Sequence, residues 1–351
     1  MLEKFTRQLA DAQPLSDEQI RQAVEQLADE RVATVAKADF LDALAQKGET
    51  PDEIAAFVRA LRDKSIPPPL DPAWRNANEI LDVVGTGGDR LGTFNISTAA
   101  ALICAAAGVA VAKHGNRAVT SQAGSADVLE ALGVRIDLTP SEAVRSLRER
   151  QFAFFFAPAW HPAFQHIAPA RKLCAERGQR TIFNYLGPLL NPARPSAMLV
   201  GVPRLELCEP IARVLQSLGV RRTMVVCGKV ENPESKVQST IDELSTLGEN
   251  TVAEFYQEHG FAVSTLAPEQ FPLQPATLAN LIGGDRHTNA EIICRVFRGE
   301  ECGPKRDAIL LNAAAALFVA GKIKSLAEGW NLAARTIDSG QANAKLEELA
   351  R

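Results

Sequence analysis

Apolar residues in the first part of the chain recur at helical spacing. Ile54, Phe57, Val58 and Leu61 fall at i, i+3, i+4 and i+7, one face of a helix. Ahead of them, Thr50-Pro51-Asp52-Glu53 offers a Thr cap, a proline at the first helical position and a glutamate at the third, a start signal. Ser16-Asp-Glu-Gln19 has the form of a capping box before Ile20, Val24 and Leu27. Residues 1–66 are therefore expected to be all-helical. Ser65-Ile-Pro-Pro-Pro69 ends this region, because three consecutive prolines cannot continue a helix and form a stiff linker.

Beyond the linker the pattern changes to short apolar runs separated by helical stretches. Glu79–Val84, Val109–Ala112, Phe152–Phe156, Ala197–Val202 and Thr223–Cys227 read as strands. Gly124–Gly133 and Gln165–Arg177 read as helices, Thr139-Pro-Ser-Glu142 repeats the cap signal, and Asp307–Ala334 is Ala-rich and helical. Strands alternating with helices predict an α/β fold with a mostly parallel sheet covered by helices on both faces. The run 184–195, rich in Gly, Pro and Asn, reads as a hinge. The longest apolar run, Ala99–Ala112, is too short for a bilayer, which needs about 20 residues. It reads as a buried helix followed by a buried strand.

The balance of 38 basic against 42 acidic residues leaves a net charge of −4, which lowers the case for a nucleic-acid binder. The segment Met1–Arg7 is charged and lacks an apolar signal region. Six scattered cysteines include no CxxC pair, so reduced, mostly buried thiols in a cytoplasm are expected.

Four segments carry candidate chemistry. The first is the glycine cluster after the first strand, Gly85-Thr-Gly-Gly88-Asp89, continuing through Thr93 to Asn95-Ile96-Ser97-Thr98. Glycines there let backbone N–H groups converge on an anion, and the following helix start adds its dipole. Neither Walker A nor the dinucleotide fingerprint fits, since Arg90 stands where the latter needs glycine. The glycines alone are equally consistent with a tight strand-to-helix turn. The second segment, Lys113-His114-Gly115-Asn116-Arg117-Ala118-Val119-Thr120-Ser121 with Ser125 beyond it, leaves the second strand rich in donors. Alone it would read as a solvated basic turn. Two donor-rich loops at neighbouring strand ends point to a phosphorylated ligand.

The third is His161-Pro162 with Arg171 downstream. A lone His is more often a packing residue than a catalyst, and Arg171 suits a carboxylate as well as a helix surface. The fourth is Asp242-Glu243. Adjacent acids are common in this chain, but carboxylates near a phosphate site suit Mg²⁺.

Together these segments resemble the anthranilate phosphoribosyltransferase family. The resemblance is carried by Gly85–Asp89, Asn95–Thr98, Lys113–Arg117, Gly124–Gly133, His161-Pro162, Arg180–Pro192 and Asp242-Glu-Leu-Ser245, and runs in order from about residue 15 to the C-terminus. It implies the nucleoside phosphorylase-like phosphoribosyltransferase fold: a small helical domain, residues 1–66 joined by 166–196, and a large α/β domain, 67–165 with 197–351. It implies transfer of phosphoribose from phosphoribosyl pyrophosphate to the amine of anthranilate, on the route to tryptophan. Phosphoribosyl pyrophosphate would lie against Gly85, Gly88, Asp89, Thr93, Asn95–Thr98, Lys113–Ser121 and Ser125. Ser97, Asp242 and Glu243 would bind Mg²⁺, as two ions. Gly85, Asn116 and Arg171 would meet anthranilate, with His114, His161 and Pro188 lining its path. A cytoplasmic homodimer through the helical domain, with neither nucleic acid nor membrane as partner, is also implied, and the face of Ile54, Phe57, Val58 and Leu61 is the expected contact.

Three segments depart from the family pattern: a longer helix after Arg171, a replaced loop at 227–240, and Gln122-Ala123. Two of them flank the expected acceptor and metal sites, so a related transferase with another aromatic acceptor is an alternative. A pyrimidine nucleoside phosphorylase would share the fold but lack the acid pair. A non-catalytic nucleic-acid-binding relative would have lost the phosphate loops.

Overall fold

The computed structural model describes residues 1–118, 122–231, 239–257 and 259–351. Helices α1 (Leu2–Ala10), α2 (Asp17–Ala28), α3 (Thr34–Lys47) and α4 (Pro51–Arg62) form the N-terminal bundle. The capping boxes at Ser16 and Thr50 both close as expected. Glu53 does more than cap. Its buried carboxylate accepts from the backbone N of Thr50 and of Leu15, both at 2.9 Å, and from Lys47 Nζ at 2.7 Å. Three helices are thereby tied to one acid, and removal of its lysine partner would strand a buried charge.

After α5 (Pro72–Ala77) the chain enters an eight-stranded sheet. The strands are β1 (Ile80–Gly85), β2 (Ala110–Gly115), β3 (Phe152–Phe156), β4 (Ala197–Gly201), β5 (Arg222–Val230), β6 (Ser239–Ile241), β7 (Asn250–Tyr256) and β8 (His259–Leu266). Their order is β3-β2-β1-β4-β5-β7-β8, with β6 pairing β5 off this path. The first five run parallel, while β6, β7 and β8 add antiparallel. The parallel part is the one expected; the antiparallel edge is not. The intervening helices are α6 (Ile96–Ala106), α7 (Ser125–Ala131), α8 (Pro140–Arg150), α9 (Ala157–Trp160), α10 (Phe164–Glu176) and α11 (Cys208–Ser217). The C-terminal part carries α12 (Leu278–Leu281), α13 (Arg286–Phe297), α14 (Pro304–Val319), α15 (Leu326–Asp338) and α16 (Gln341–Leu349). The Ala-rich stretch expected to be helical over 307–334 forms two helices, separated around Gly321, where φ is +69°.

One core lies between the sheet and α6, α14 and α15. A second joins α1–α4, α10 and α11 to the other face of the sheet. One expectation needs correction. Ile54, Phe57, Val58 and Leu61 are all at most 5% exposed and belong to that second core, so this face is covered by the chain itself and is not a dimer contact. The expected hinge run 184–195 is partly packed: Leu189, Leu190, Asn191 and Ala193 are buried, and Leu189 O accepts from Arg62 Nε at 2.8 Å.

Candidate functional site

The donor-rich loops gather at the carboxyl ends of β1 and β2, the edge where open α/β sheets hold ligands. β1 ends at Gly85, whose register partner on β4 is Gly201. Asp242 follows β6 and folds back over both glycines. A Cβ at Gly85 would overlap Asp242 Oδ2, and one at Gly201 would overlap the Asp242 backbone, so only glycine admits the acid here. Gly87 N donates to Asp242 Oδ2 at 2.6 Å, and Ser97 N at the start of α6 donates to Glu243 Oε1 at 3.1 Å. The acid pair is therefore bonded to both ends of the glycine segment.

Electrostatics at this point are unbalanced. Burial, then the neighbouring Asp89 and Glu243, holds the Asp242 carboxyl well above the carboxylate range. Burial lifts Glu243 to about 7, opposed first by Lys113. Carboxyls that resist ionisation because of burial and one another are matched to a dication, which removes both penalties. The donor set, two carboxylates and the neighbouring serine, is oxygen-only and fits Mg²⁺. Among the described residues no three His, Cys, Asp or Glu side chains form a complete cage. Mg²⁺ is commonly held by one or two carboxylates with substrate phosphates completing its shell.

Below the loop lies a buried layer of charge. β2 extends three residues past the expected end at Ala112, and that extension draws Lys113 and His114 into a sheet covered on both faces. Lys113, 1% exposed, donates from Nζ to Val83 O at 2.6 Å. Asp82, fully buried, accepts from His114 N at 3.3 Å and from Asn191 Nδ2 at 2.8 Å; burial raises it to about 6. Burial lowers Lys113, and the neighbouring Asp82 and Glu243 oppose that by favouring its ammonium form.

The remaining expected residues fall into three groups. Asn95 Nδ2 donates to Ala123 O at 3.3 Å while its Oδ1 accepts from Asn289 Nδ2 at 2.9 Å. Thr93 bridges to Ile282. Ile96 and Thr98 are buried, and Thr98 Oγ1 has no hydrogen-bond partner among the described residues. Gly115 and Ser125 lie against each other, since a Cβ on the glycine would overlap Ser125 Oγ. Asn116 O accepts from Ala126 N at 3.3 Å, and Ala118 N donates to Asp127 Oδ2 at 2.9 Å, fastening this loop to α7. Arg117 turns to Asp127 and Glu130, at 2.9 and 3.0 Å. Val119, Thr120 and Ser121 lie outside the described residues, as does much of the replaced loop at 227–240.

Among the residues expected to line the acceptor path, His114 Nδ1 meets Gly187 O at 3.1 Å, next to the buried Pro188. Its ring stands edge-on to His161, 5.3 Å between centroids, and His161 stacks on Phe164 at 5.0 Å. Phe164 meets Phe183 at 5.9 Å, and the exposed Arg171 lies over the Phe183 ring at 5.2 Å. An aromatic column therefore runs from His114 to Arg171. Burial depresses His114 to about 3 and His161 to about 4, so both rings are neutral near pH 7. His114 Nε2 is buried without a partner among the described residues, and the buried His161 ring lies beside the Leu190 backbone.

Three residues of the site were not assigned roles from sequence. Arg180 reaches over the glycine cluster, where a Cβ at Gly88 would come within 2.9 Å of its Nη2. Asp82 had a signal, an acid inside an apolar strand. Asn289 had none.

Two family models match the chain. A glycosyl transferase family helical bundle domain covers residues 3–65, and a glycosyl transferase family a/b domain covers 77–343. Anthranilate phosphoribosyltransferase of Petrotoga mobilis is 45% identical, over 99% of this chain and 96% of its own. The crystal structure of anthranilate phosphoribosyltransferase from Thermus thermophilus is 42% identical with a TM-score of 0.85, covering 99% of this chain and 98% of that one. The enzyme from Saccharomyces cerevisiae, in complex with phosphoribosyl pyrophosphate and Mg, is 28% identical with a TM-score of 0.85, covering 99% and 96%.

Proposed function

Because the chain belongs to the glycosyl transferase family of anthranilate phosphoribosyltransferases, we propose a reading of its site residue by residue for that reaction. The enzyme transfers phosphoribose from phosphoribosyl pyrophosphate to the amine of anthranilate and releases pyrophosphate. The observation that carries the residue assignment is the Asp242 carboxylate bonded to Gly87 N beside Gly85.

In this reading phosphoribosyl pyrophosphate lies across the glycine cluster and the loop after β2. Backbone amides and the α6 start meet its phosphates there, Arg180 covers Gly88, and the buried Lys113 supplies positive potential from below. Asp242, Glu243 and Ser97 hold Mg²⁺, as two ions, and the metal supplies neutralisation of the departing pyrophosphate. The ribosyl carbon then needs a well-placed nucleophile more than a strong base. Arg171 takes the anthranilate carboxylate, and the neutral His114 and His161, with Pro188, line the approach without adding charge. Gly85 and Asn116 meet the ring where the two substrates join.

The domain division remains 1–66 with 166–196 against the rest; α10 packing on α2 and α3 supports it. A homodimer through the helical domain must use a face other than that of Ile54, and the exposed Val35 on α3 and Met1 ahead of α1 offer one. All six cysteines are free, in keeping with a cytoplasmic enzyme of tryptophan synthesis. Among the described residues no helix is long and apolar enough to cross a membrane.

The deciding assay follows anthranilate fluorescence with phosphoribosyl pyrophosphate and Mg²⁺. Loss of signal requiring all three components supports the reading. Turnover only with a different aromatic amine would transfer it to another acceptor.

A further inference from the structure

A cavity of about 450 Å³ lies at the edge of the sheet opposite the glycine cluster, beside Ile80 at the start of β1 and Arg221 just before β5. Five arginines line it: Arg59 and Arg62 from the last turn of α4, Arg75 on α5, Arg194 and Arg221. Acids answer only some of them. Arg59 pairs with Asp17 at 2.8 Å, Arg194 with Asp63 at 3.2 Å and Arg221 with Glu79 at 2.7 Å. Arg62 and Arg75 have no carboxylate partner among the described residues, although Arg75 Nη2 donates to Arg194 O.

Arg62 is the unusual member. It is 7% exposed, its Nε is spent on Leu189 O, and its Nη2 has no partner among the described residues. Burial, then Arg194 and Arg75, pulls it down to about 10. Arg75 is lowered in the same way, by burial and then by Arg194 and Arg221. Unpaired guanidinium charge facing like charge in a cavity is costly unless an anion joins it. Guanidinium forks match the oxygens of a phosphate. A bare phosphate would leave most of this volume empty, whereas small-molecule pockets run about 300–1,000 Å³.

We propose that this cavity is a second, non-catalytic site for a small phosphate monoester, its phosphate seated between Arg62 and Arg75. Its ligand would tie the end of α4 to α5 and to Arg194.

The test is calorimetric titration of the full chain in phosphate-free buffer with ribose 5-phosphate and, separately, inorganic phosphate. The comparison is with Arg75→Gln/Arg194→Gln, both outside the catalytic machinery. Arg62→Gln is a second variant, used if it folds. We expect wild type to take up an equivalent of ribose 5-phosphate that the double variant binds at least about tenfold more weakly. KM for both reaction substrates should stay within about twofold. Inorganic phosphate should bind at least about tenfold more weakly than the ester. Identical isotherms for wild type and variant would overturn the site. Equal affinity for phosphate and ester would overturn the assignment to a monoester. Neither readout depends on anthranilate being the acceptor.

Discussion

The carboxylate of Asp242 occupies the space that a side chain at Gly85 would need, although the two are 157 positions apart in the chain. This contact joins the glycine segment to the acid pair. Gly85→Ala should therefore displace Asp242 and lower kcat/KM at least about tenfold, about 1.4 kcal/mol of barrier. Steady-state kinetics across a Mg²⁺ series checks it; an unchanged Mg²⁺ dependence would separate the glycine from the metal.

Asp242→Asn with Glu243→Gln should lower turnover at least about tenfold. It should do so without lowering the melting temperature measured in chelator, because two carboxyls that burial and mutual repulsion hold above their usual range are replaced by neutral amides. A folded double variant with wild-type Mg²⁺ dependence would remove both residues from the metal site.

Arg171 has no ion-pair partner among the described residues and lies over Phe183 at the outer end of the aromatic column. Loss of a charge-assisted bond to a carboxylate is worth roughly 1.5–3 kcal/mol. Arg171→Ala should raise KM for anthranilate about ten- to a hundredfold and leave KM for phosphoribosyl pyrophosphate nearly unchanged. Arg171→Lys should rescue only in part, since an ammonium cannot bind both oxygens in one plane. Equal damage to both KM values would assign the arginine to the fold.

His114 and His161 titrate near 3 and 4 in the folded chain, against an ordinary 6.5. Above pH 6.5 both states leave them neutral and neither contributes a pH dependence. Below it the unfolded chain takes up protons that the native rings refuse, so their contribution to stability falls as pH drops from 6.5 toward 4. Asp82, raised to about 6, works in the opposite direction. The effect is best read as a difference. His161→Gln should lose less stability than wild type between pH 6 and 5, by up to about 1.4 kcal/mol per pH unit, in urea unfolding at each pH. Parallel curves would mean that His161 is not held neutral.

If the helical part dimerises through the face with Val35, which is 55% exposed, then Val35→Asp should convert a dimer to a monomer in light scattering at micromolar concentration. A wild-type monomer would refute the dimer, and an unshifted variant would move the contact elsewhere.

Local signals located the elements that local chemistry builds. Thr50, Ser16 and Thr139 start helices because a side chain satisfies the backbone beside it, and all three boxes form. What escaped was decided at long range. Lys113 read as a loop cation because the strand's last three residues carry no apolar signal, and pairing with Phe154–Phe156 extends it. The face of Ile54 read as free because part of its cover, α11 and the turn Gly187–Leu190, arrives more than a hundred residues later. The antiparallel β7 and β8 lack the apolar runs that marked the parallel strands. Arg180 over Gly88 and Asn289 on Asn95 are contacts between distant loops that no local pattern announces.

The core that joins α1–α4 to the sheet through Leu186, Leu189, Val200 and Val225 has a thermodynamic meaning. A bundle that shares its interior with the sheet has no independent melting point. Residues 1–66 expressed alone would leave that apolar surface in water, and the whole chain should absorb heat in one calorimetric transition. A wide swing of the bundle away from the sheet would open the interior that both parts share, so a shear of short stroke is the motion that this packing favours.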